Sequence, residues 1–169
     1  MAKRIDMTLS VKSINNAINE LKAYKQELIA KNEIFVRRLA ELGLSVVDMK
    51  VRQSRGDSED ATSKAQFNSM GEIMMAEIHL TGDDVLFIEF GSGIYYNQGN
   101  QHPLANQFGY GVGTYPGQTH AYDDFWFYTD KYGNTSQFSR GTEATMPMYN
   151  AVMEMYKQVV DIAREVFGG

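Results

Sequence analysis

The chain contains no cysteine and only three prolines. Without cysteine it can form neither disulfides nor thiolate metal sites. Basic residues are also in the minority, 16 against 21 acidic ones, and no run of lysine and arginine stands out, so a general polyanion binder is not expected. The densest apolar stretch, Val85–Phe90, is interrupted by Glu89 and is far too short to cross a membrane. The first residues, MAKRIDMTLSVKS, lack the apolar core of a secretory signal.

What is present is an ordinary globular composition. Of the 169 residues, 43% are hydrophobic and 22% are charged, which is typical of a folded chain rather than a disordered one. A chain of this length is normally one domain and buries a sizeable core. We therefore predict a single domain over residues 1–169.

The N-terminal third is predicted to be mainly helical. Residues 5–9 alternate apolar and polar side chains, which indicates a short strand, and Ser10 or Ser13 can then cap a helix. Asn32 suggests a bend or a break, and Gly43 a C-terminal cap. Apolar residues at helical spacing carry the prediction: Ile14, Ile18, Leu21, Leu28, Phe35, Leu39 and Leu42.

The middle of the chain is predicted to form antiparallel strands. Residues 47–51 alternate again and suggest a strand, whereas residues 55–71 are polar and offer little core material. Residues 72–80 and Val85–Phe90 are read as the two strands of a hairpin, because the turn Thr81-Gly82-Asp83 between them is short. A second hairpin is predicted from residues 125–129 and 135–140, around a turn at 132–134.

Residues 91–117 are different in kind, because glycines alternate there with aromatic residues. So many glycines favour a long loop over regular structure, and we place a loop insertion at about 91–124. The aromatic residues of this stretch that could contact a partner are Tyr95, Tyr96, Phe108, Tyr110 and Tyr115.

The C-terminal helix gives the clearest pattern. Pro147 suits a first helical turn, and apolar residues then follow at alternating spacings of four and three: Met148, Val152, Met155, Val159, Ile162 and Val166. Met153 and Tyr156 lie on a second face, where methionine and tyrosine suit a subunit contact. The order of elements predicts an α+β domain in which an antiparallel sheet packs against a long N-terminal helix and a C-terminal helix.

No pattern in the sequence predicts a catalytic, phosphate-binding or metal-binding site. The glycines of residues 109–113 precede no helical pattern, so a phosphate site is not expected. His102, His120, Asp123 and Asp124 form the only cluster that could ligate a metal or transfer protons, and their spacing matches no zinc signature. No serine lies in a nucleophile elbow. We expect no catalytic residue, no cofactor and no metal.

Three segments together resemble a known family. Residues 85–94 read VLFIEFGSGI, residues 102–103 and 111–116 read HP and GVGTYP, and residues 141–151 read GTEATMPMYNA. In this order they resemble the minor tail or tail-completion proteins of tailed bacteriophages. The chain resembles the family typified by the gene-ten product of a lambdoid siphophage, and within it the branch carried by prophages of Gram-positive bacteria. It is also distantly similar to lambda minor tail protein Z. The family's Ala-Pro-x-Asp-Thr-Gly segment after the first helix is absent; residues 42–50 read LGLSVVDMK.

The resemblance implies a non-enzymatic virion protein of the neck or the head-proximal end of the tail, assembled in the host bacterial cytoplasm. It implies a ring of about six copies that contacts other neck and tail proteins and lets genome DNA pass without specific binding. Tail terminator and head–tail joining protein are alternatives within the same region. The candidate assembly interface is Tyr95, Tyr96, Phe108, Tyr110, Tyr115, Met153 and Tyr156. The alternative from another class is a carbohydrate-binding or hydrolytic module that uses the aromatic loop as its groove.

Overall fold

The computed structural model describes residues 4–54, 60–96, 102–113, 115–117, 124–130, 132–135 and 137–168. The helices are α1 (Val11–Gln53), α2 (Val85–Phe90) and α3 (Pro147–Phe167), with one 3-10 turn at Ala105–Phe108. The strands are β1 (Thr62–Met70), β2 (Ile73–Thr81), β3 (Trp126–Tyr128) and β4 (Gln137–Ser139). The predicted α+β class, with a long N-terminal helix and a C-terminal helix around antiparallel strands, is confirmed.

Helix α1 is longer than the sequence pattern predicted. The Ser10 hydroxyl accepts a hydrogen bond from the Ser13 backbone N–H at 3.2 Å and caps the first turn. The helix then runs for 43 residues, about 65 Å, so the break at Asn32, the cap at Gly43 and the strand at 47–51 were wrong predictions. The predicted strand at 5–9 was also wrong, because residues 4–8 have no regular structure.

Gly43 lies inside α1 for a packing reason rather than a capping one. A Cβ atom at this position would lie 2.6 Å from Ile78 Cδ1 and 2.7 Å from Met155 Sδ. Glycine therefore lets β2 and α3 approach the helix backbone at the same point. The cost of glycine in a helix interior, about 1 kcal/mol, is offset by this three-way contact.

Strand β2 is close to a predicted strand, but its partner is not the one expected. It pairs antiparallel with β1, from Thr62 opposite Thr81 to Met70 opposite Ile73. Strand β1 lies in the polar stretch 55–71, which was expected to offer little core material. Every second residue of β1 from Ser63 to Phe67 is nevertheless half-buried, which is the alternation expected of a strand. Of the inner side chains, those of Ser63 and Ala65 are small, and the Ser63 hydroxyl donates a hydrogen bond to Asp48 of α1. The Arg37 guanidinium covers the Phe67 ring at 4.7 Å from its centroid.

Val85–Phe90 is a helix and not a strand. Asp84 O accepts from the backbone N–H groups of Phe87 and Ile88, each at 3.0 Å, which starts the turn. The helix ends at Gly91, whose φ of 78° is a conformation that favours glycine. A short apolar run does not distinguish a strand from a buried helix by its period, and here helix α2 buries Ile88, Glu89 and Phe90 while Leu86 stays exposed.

Helix α3 was predicted correctly and packs antiparallel to the C-terminal part of α1. At one end the Phe35 and Phe167 rings are 5.8 Å apart, and Arg38 pairs with Glu165 at 3.0 Å. At the other end Ser54 Oγ and Thr145 Oγ1 are 2.9 Å apart. Within the described ranges, no helix combines the length and apolarity needed to cross a bilayer.

Candidate assembly surface

The glycine-rich segment is partly folded onto α2. Phe90 stacks on Tyr110 with ring centroids 4.8 Å apart, and Phe87 meets Tyr115 edge-on at 5.0 Å. Tyr110 is only 8% exposed. Burial raises the pKa of Tyr110, and the neighbouring Tyr115 adds to the rise; burial alone raises the pKa of Tyr115. Tyr110, a predicted interface residue, therefore belongs to the core of this conformation, whereas Tyr115 packs against that core and stays partly exposed.

A buried carboxylate joins this core to α3. Glu89 Oε2 accepts a hydrogen bond from the Met148 backbone N–H at 2.8 Å, and Glu89 Oε1 accepts from Tyr149 N–H at 2.9 Å. Met146, at the N-cap position, has a φ of 54° and makes no side-chain cap. Glu89 therefore supplies, from another element, the acceptor that a serine or aspartate at the N-cap normally provides, and its charge suits the helix N-terminus.

His102 completes the cluster that we call the cap site: Glu89, His102 and the N–H groups of Met148 and Tyr149. His102 Nε2 lies 3.1 Å from Glu89 Oε1, while Nδ1 accepts from Leu104 N–H at 3.0 Å. Because Nδ1 is an acceptor, the proton is on Nε2 and the ring is the neutral tautomer. The ring lies between Phe90 and Tyr149, at centroid distances of 4.7 and 5.0 Å.

Of the four-residue cluster considered from the sequence, the structure describes His102 and Asp124. His102 is buried in the cap site, and Asp124 is exposed. His120 and Asp123 lie outside the described residues. Sequence reasoning missed the role of Glu89, although a single charge inside an apolar run was the available signal. Within the part of the chain that the structure describes, no group of three or more histidines and carboxylates could hold a metal ion.

The second hairpin, β3 with β4, carries an exposed aromatic surface. It was predicted correctly, although its strands are shorter, and it pairs Trp126 with Ser139 and Tyr128 with Gln137. Phe125, Phe127 and Phe138 are 49%, 60% and 52% exposed, respectively. Their ring centroids lie between 5.3 and 6.1 Å apart.

Arg140 connects this cluster to the start of the glycine-rich segment. Its guanidinium carbon lies 4.7 Å from the Tyr95 ring centroid and 5.7 Å from that of Phe138, which is cation–π geometry. Tyr95 and Tyr96 meet edge-on at 4.8 Å. We call this surface the aromatic face; it consists of Tyr95, Tyr96, Phe125, Phe127, Phe138 and Arg140.

The aromatic face follows from strand alternation. Phe127 is opposite Phe138 in the register, so their side chains share one side of the hairpin, while Trp126 and Tyr128 point to the other. The sequence predicted Tyr95 and Tyr96 for an interface and missed the three phenylalanines. The available signal was the spacing of two between Phe125 and Phe127.

The turn of this hairpin is held by Asp130. Its carboxylate accepts from the backbone N–H groups of Tyr132 and Asn134, each at 2.9 Å, and from Asn134 Nδ2 at 2.8 Å. The side-chain bond from Asn134 is the largest cause that lowers the pKa of Asp130, and the backbone bonds add to it.

Helix α3 presents a second exposed apolar surface on the side away from α1. Val152, Tyr156 and Val160 recur every fourth residue and are more than half exposed, and Met153 lies beside them. We call these four residues the outer row of α3. Phe108 is also more than half exposed. Five of the seven predicted interface residues are thus accessible: Tyr95, Tyr96, Phe108, Met153 and Tyr156.

One open groove lies on the other side of the β3–β4 hairpin. Its volume is about 450 Å³, and its lining combines carboxylates with aromatic rings: Asp60, Asp83, Asp84, Tyr115, Trp126 and Tyr128. A smaller depression of about 230 Å³ lies beside Ser54, Tyr96 and Arg140. Both are shallow openings at the surface rather than enclosed cavities.

Comparison of the chain with protein-family models, with curated proteins and with solved structures found no match.

Proposed function

We propose that this chain is a structural subunit of a tailed-phage particle, a tail-completion or neck component at the head–tail junction or the head-proximal end of the tail. Its contacts would be to further copies of itself in a ring of about six and to other neck and tail proteins. Genome DNA would pass through that ring without specific binding, and assembly would take place in the bacterial cytoplasm. Tail terminator and head–tail joining protein are positions in the same region that the same surfaces would serve.

The resemblance gains support from how its three segments meet. Glu89 comes from the first segment, His102 from the second, and Met148 and Tyr149 from the third, and all four meet in the cap site. The three segments therefore act together in holding α3, and this joint role supports treating them as one motif.

The observation that carries the proposal is the aromatic face. Three neighbouring phenylalanines that are about half exposed, with an arginine stacked beside them, are unusual on a surface that contacts only water. Aromatic residues and arginine are the types that dominate protein–protein interfaces. A ring also needs two different contact surfaces on each copy, and the outer row of α3 is a second one on another element.

The proposal is tested by replacing the aromatic face in a phage or prophage that carries this gene. The variant Phe127→Ser with Phe138→Ser should fold but fail to enter particles, and electron microscopy should show heads and tails that do not join stably. Leu86→Ser is the matched control, because Leu86 is equally exposed on α2, and it should give normal particles. Complete, infectious virions from a strain that lacks the gene would refute the neck assignment.

One observation favours the alternative from the other class. The open groove places aromatic rings beside carboxylates, a combination that also suits sugar binding or hydrolysis. Calorimetry of the full chain with bacterial cell-wall oligosaccharides would detect such binding. Binding that disappears with Trp126→Ala would favour a carbohydrate-binding or hydrolytic module over an assembly protein.

A further inference from the structure

Among the residues that the structure describes, the N-terminal part of α1 extends beyond α3 and the β1–β2 hairpin. Helix α3 ends beside Phe35, where the Phe167 ring packs. The tip of the β1–β2 hairpin ends beside Lys25, which forms an ion pair with Glu72. Residues 11–24 therefore lie past both neighbours, over a length of about 21 Å. Within this stretch Ala17 is buried, at 7% exposure, while the apolar residues described next are not. We call residues 11–28 the stem.

The stem carries an apolar stripe that is left exposed. Its members are between 37% and 77% exposed: Val11, Ile14, Ile18, Leu21 and Leu28. Together with Lys25 they follow spacings of three and four residues, the a and d positions of a heptad. Phe35, Leu39 and Leu42 continue the same spacing into the body, where they are half-buried against the other elements. The stripe is thus covered in the body and uncovered in the stem.

We propose that the stem of a second copy of this chain covers the stripe, in antiparallel orientation. The spacing is self-complementary about a point between Asn19 and Glu20. With a two-fold axis at that point, Ile18 faces Leu21 of the second copy, and Val11 faces its Leu28. An isologous contact of this kind needs one surface that is complementary to itself.

The ends of the two stems also match. When Val11 of the second copy reaches Leu28, it arrives where the hairpin tip meets α1 through Glu72. Met70 and Ile73 at that tip are 70% and 62% exposed, respectively. The start of the second helix would cover them as well, because the overlap of residues 11–28 reaches past the uncovered residues 11–24 to the hairpin tip.

The nearly balanced charge of the stem favours a second copy of the stem as its partner over a strongly charged protein. The stem carries Lys12, Lys22 and Lys25 against Glu20 and Glu27, so neither an acidic nor a basic partner gains much. Lys25 is the one charged residue on the stripe, where it faces Ile14 of the second copy. Its ammonium already pairs with Glu72, which leaves its aliphatic chain to pack against that isoleucine.

The first test is the mass of the full chain in solution by sedimentation. The expected result is a dimer, twice 19.1 kDa, that Leu21→Asp converts to a monomer. Ala23→Asp is the matched control, since Ala23 is exposed on the opposite side of the helix, and it should remain dimeric. Circular dichroism shows whether each variant is folded. A wild-type chain that is monomeric at every concentration, or equal effects of both substitutions, would overturn the proposal.

The second test distinguishes the orientation and uses the absence of native cysteine. Val11→Cys and Leu28→Cys chains are mixed and oxidised. Antiparallel stems should give the mixed disulfide between position 11 and position 28. Parallel stems would hold these positions about 25 Å apart and give only the like-with-like disulfides, which would overturn the arrangement. Both tests are made on the isolated chain, so their outcome is independent of the proposed place in a virion.

Discussion

At the scale of single residues, the cap site shows how one side chain can hold three segments together. Glu89 is 8% exposed, and its two carboxylate oxygens accept from two backbone N–H groups and from His102. A buried charge is tolerated only when its hydrogen bonds are satisfied. Removing one member therefore leaves the others with unpaired polar groups, and the cost should greatly exceed that of a surface change.

The substitution Glu89→Ala should lower the free energy of unfolding by about 3 kcal/mol, because two N–H groups of α3 and His102 lose their acceptor. Glu89→Gln keeps one oxygen and should cost about half as much. Urea unfolding measures both. Glu77→Gln is the control, since Glu77 is an exposed carboxylate on β2, and should change stability by less than about 0.5 kcal/mol. A cost for Glu89→Ala no larger than that of the control would contradict the role of the cap site.

Asp130 gives a prediction about pH. The hydrogen bond from the Asn134 side chain is the largest cause that lowers its pKa. Hydrogen bonds from the backbone N–H groups of Asn134, Tyr132 and Gly133 lower it further. A lowered pKa in the folded state stabilises the turn above the ordinary value of 3.8, and this contribution is lost as the pH falls through the folded value. The carboxyl carbon of Asp130, followed by NMR, should titrate below 3.8.

Asn134→Ala should move that midpoint up towards the ordinary value, because the largest cause of the shift is removed. Asn106→Ala, an exposed change outside this hairpin, is the control and should leave the Asp130 midpoint where it is. An Asp130 midpoint that does not respond to Asn134→Ala would show that the turn is held in another way.

At the scale of elements, the sequence predicted helices and strands well where one face is buried and the other is wet. Helix α3 has such faces and was predicted. The β3–β4 hairpin was predicted from its aromatic and β-branched strands and its turn at 132–134, although neither of its sides is fully buried. A glycine after a helical stripe commonly ends a helix, so the sequence predicts a cap at Gly43. Only the positions of Ile78 and Met155 explain why Gly43 lies inside α1 instead. The hairpin partner of β2 was missed because the inner positions of β1 hold only Ser63, Ala65 and Phe67, a weak apolar pattern within a polar stretch. Only the tyrosines of the aromatic face were predicted. Tyrosines in a glycine-rich loop indicate an interface, whereas phenylalanines in a strand usually indicate a buried core.

The close packing of Ile78 and Met155 against Gly43 can be tested by placing a larger side chain at position 43. Gly43→Val should lower the free energy of unfolding by about 2–3 kcal/mol, because the side chain would force Ile78 and Met155 away from α1. Ala30→Val is the matched control: Ala30 is exposed on the same helix, and the change should cost only the difference in helix propensity, about 0.5 kcal/mol. Thermal unfolding measures both. Equal costs would mean that the close approach of the three elements does not limit the packing.

At the scale of the whole molecule, the interaction surfaces lie apart. The aromatic face and the cap site are built around the elements that follow β2, whereas the stem is the start of α1. The body of the fold consists of α3, the hairpin β1–β2 and the part of α1 that they cover, which begins near Lys25 for the hairpin and near Phe35 for α3. Loss of the stem should therefore leave the core contacts in place, and loss of the aromatic face should leave the stem in place.

A chain that begins at Lys25 should keep a cooperative unfolding transition with a midpoint within a few degrees of the full chain, because the contacts of α1 with Glu72, Phe67 and Phe167 are retained. It should also be monomeric. The converse variant, Phe127→Ser with Phe138→Ser, should remain dimeric because the stem is intact. Sedimentation and calorimetry on the two proteins measure both properties. If the shortened chain lost its cooperative transition, the stem would be part of the folding core, and its exposed stripe would have to be covered within the same chain.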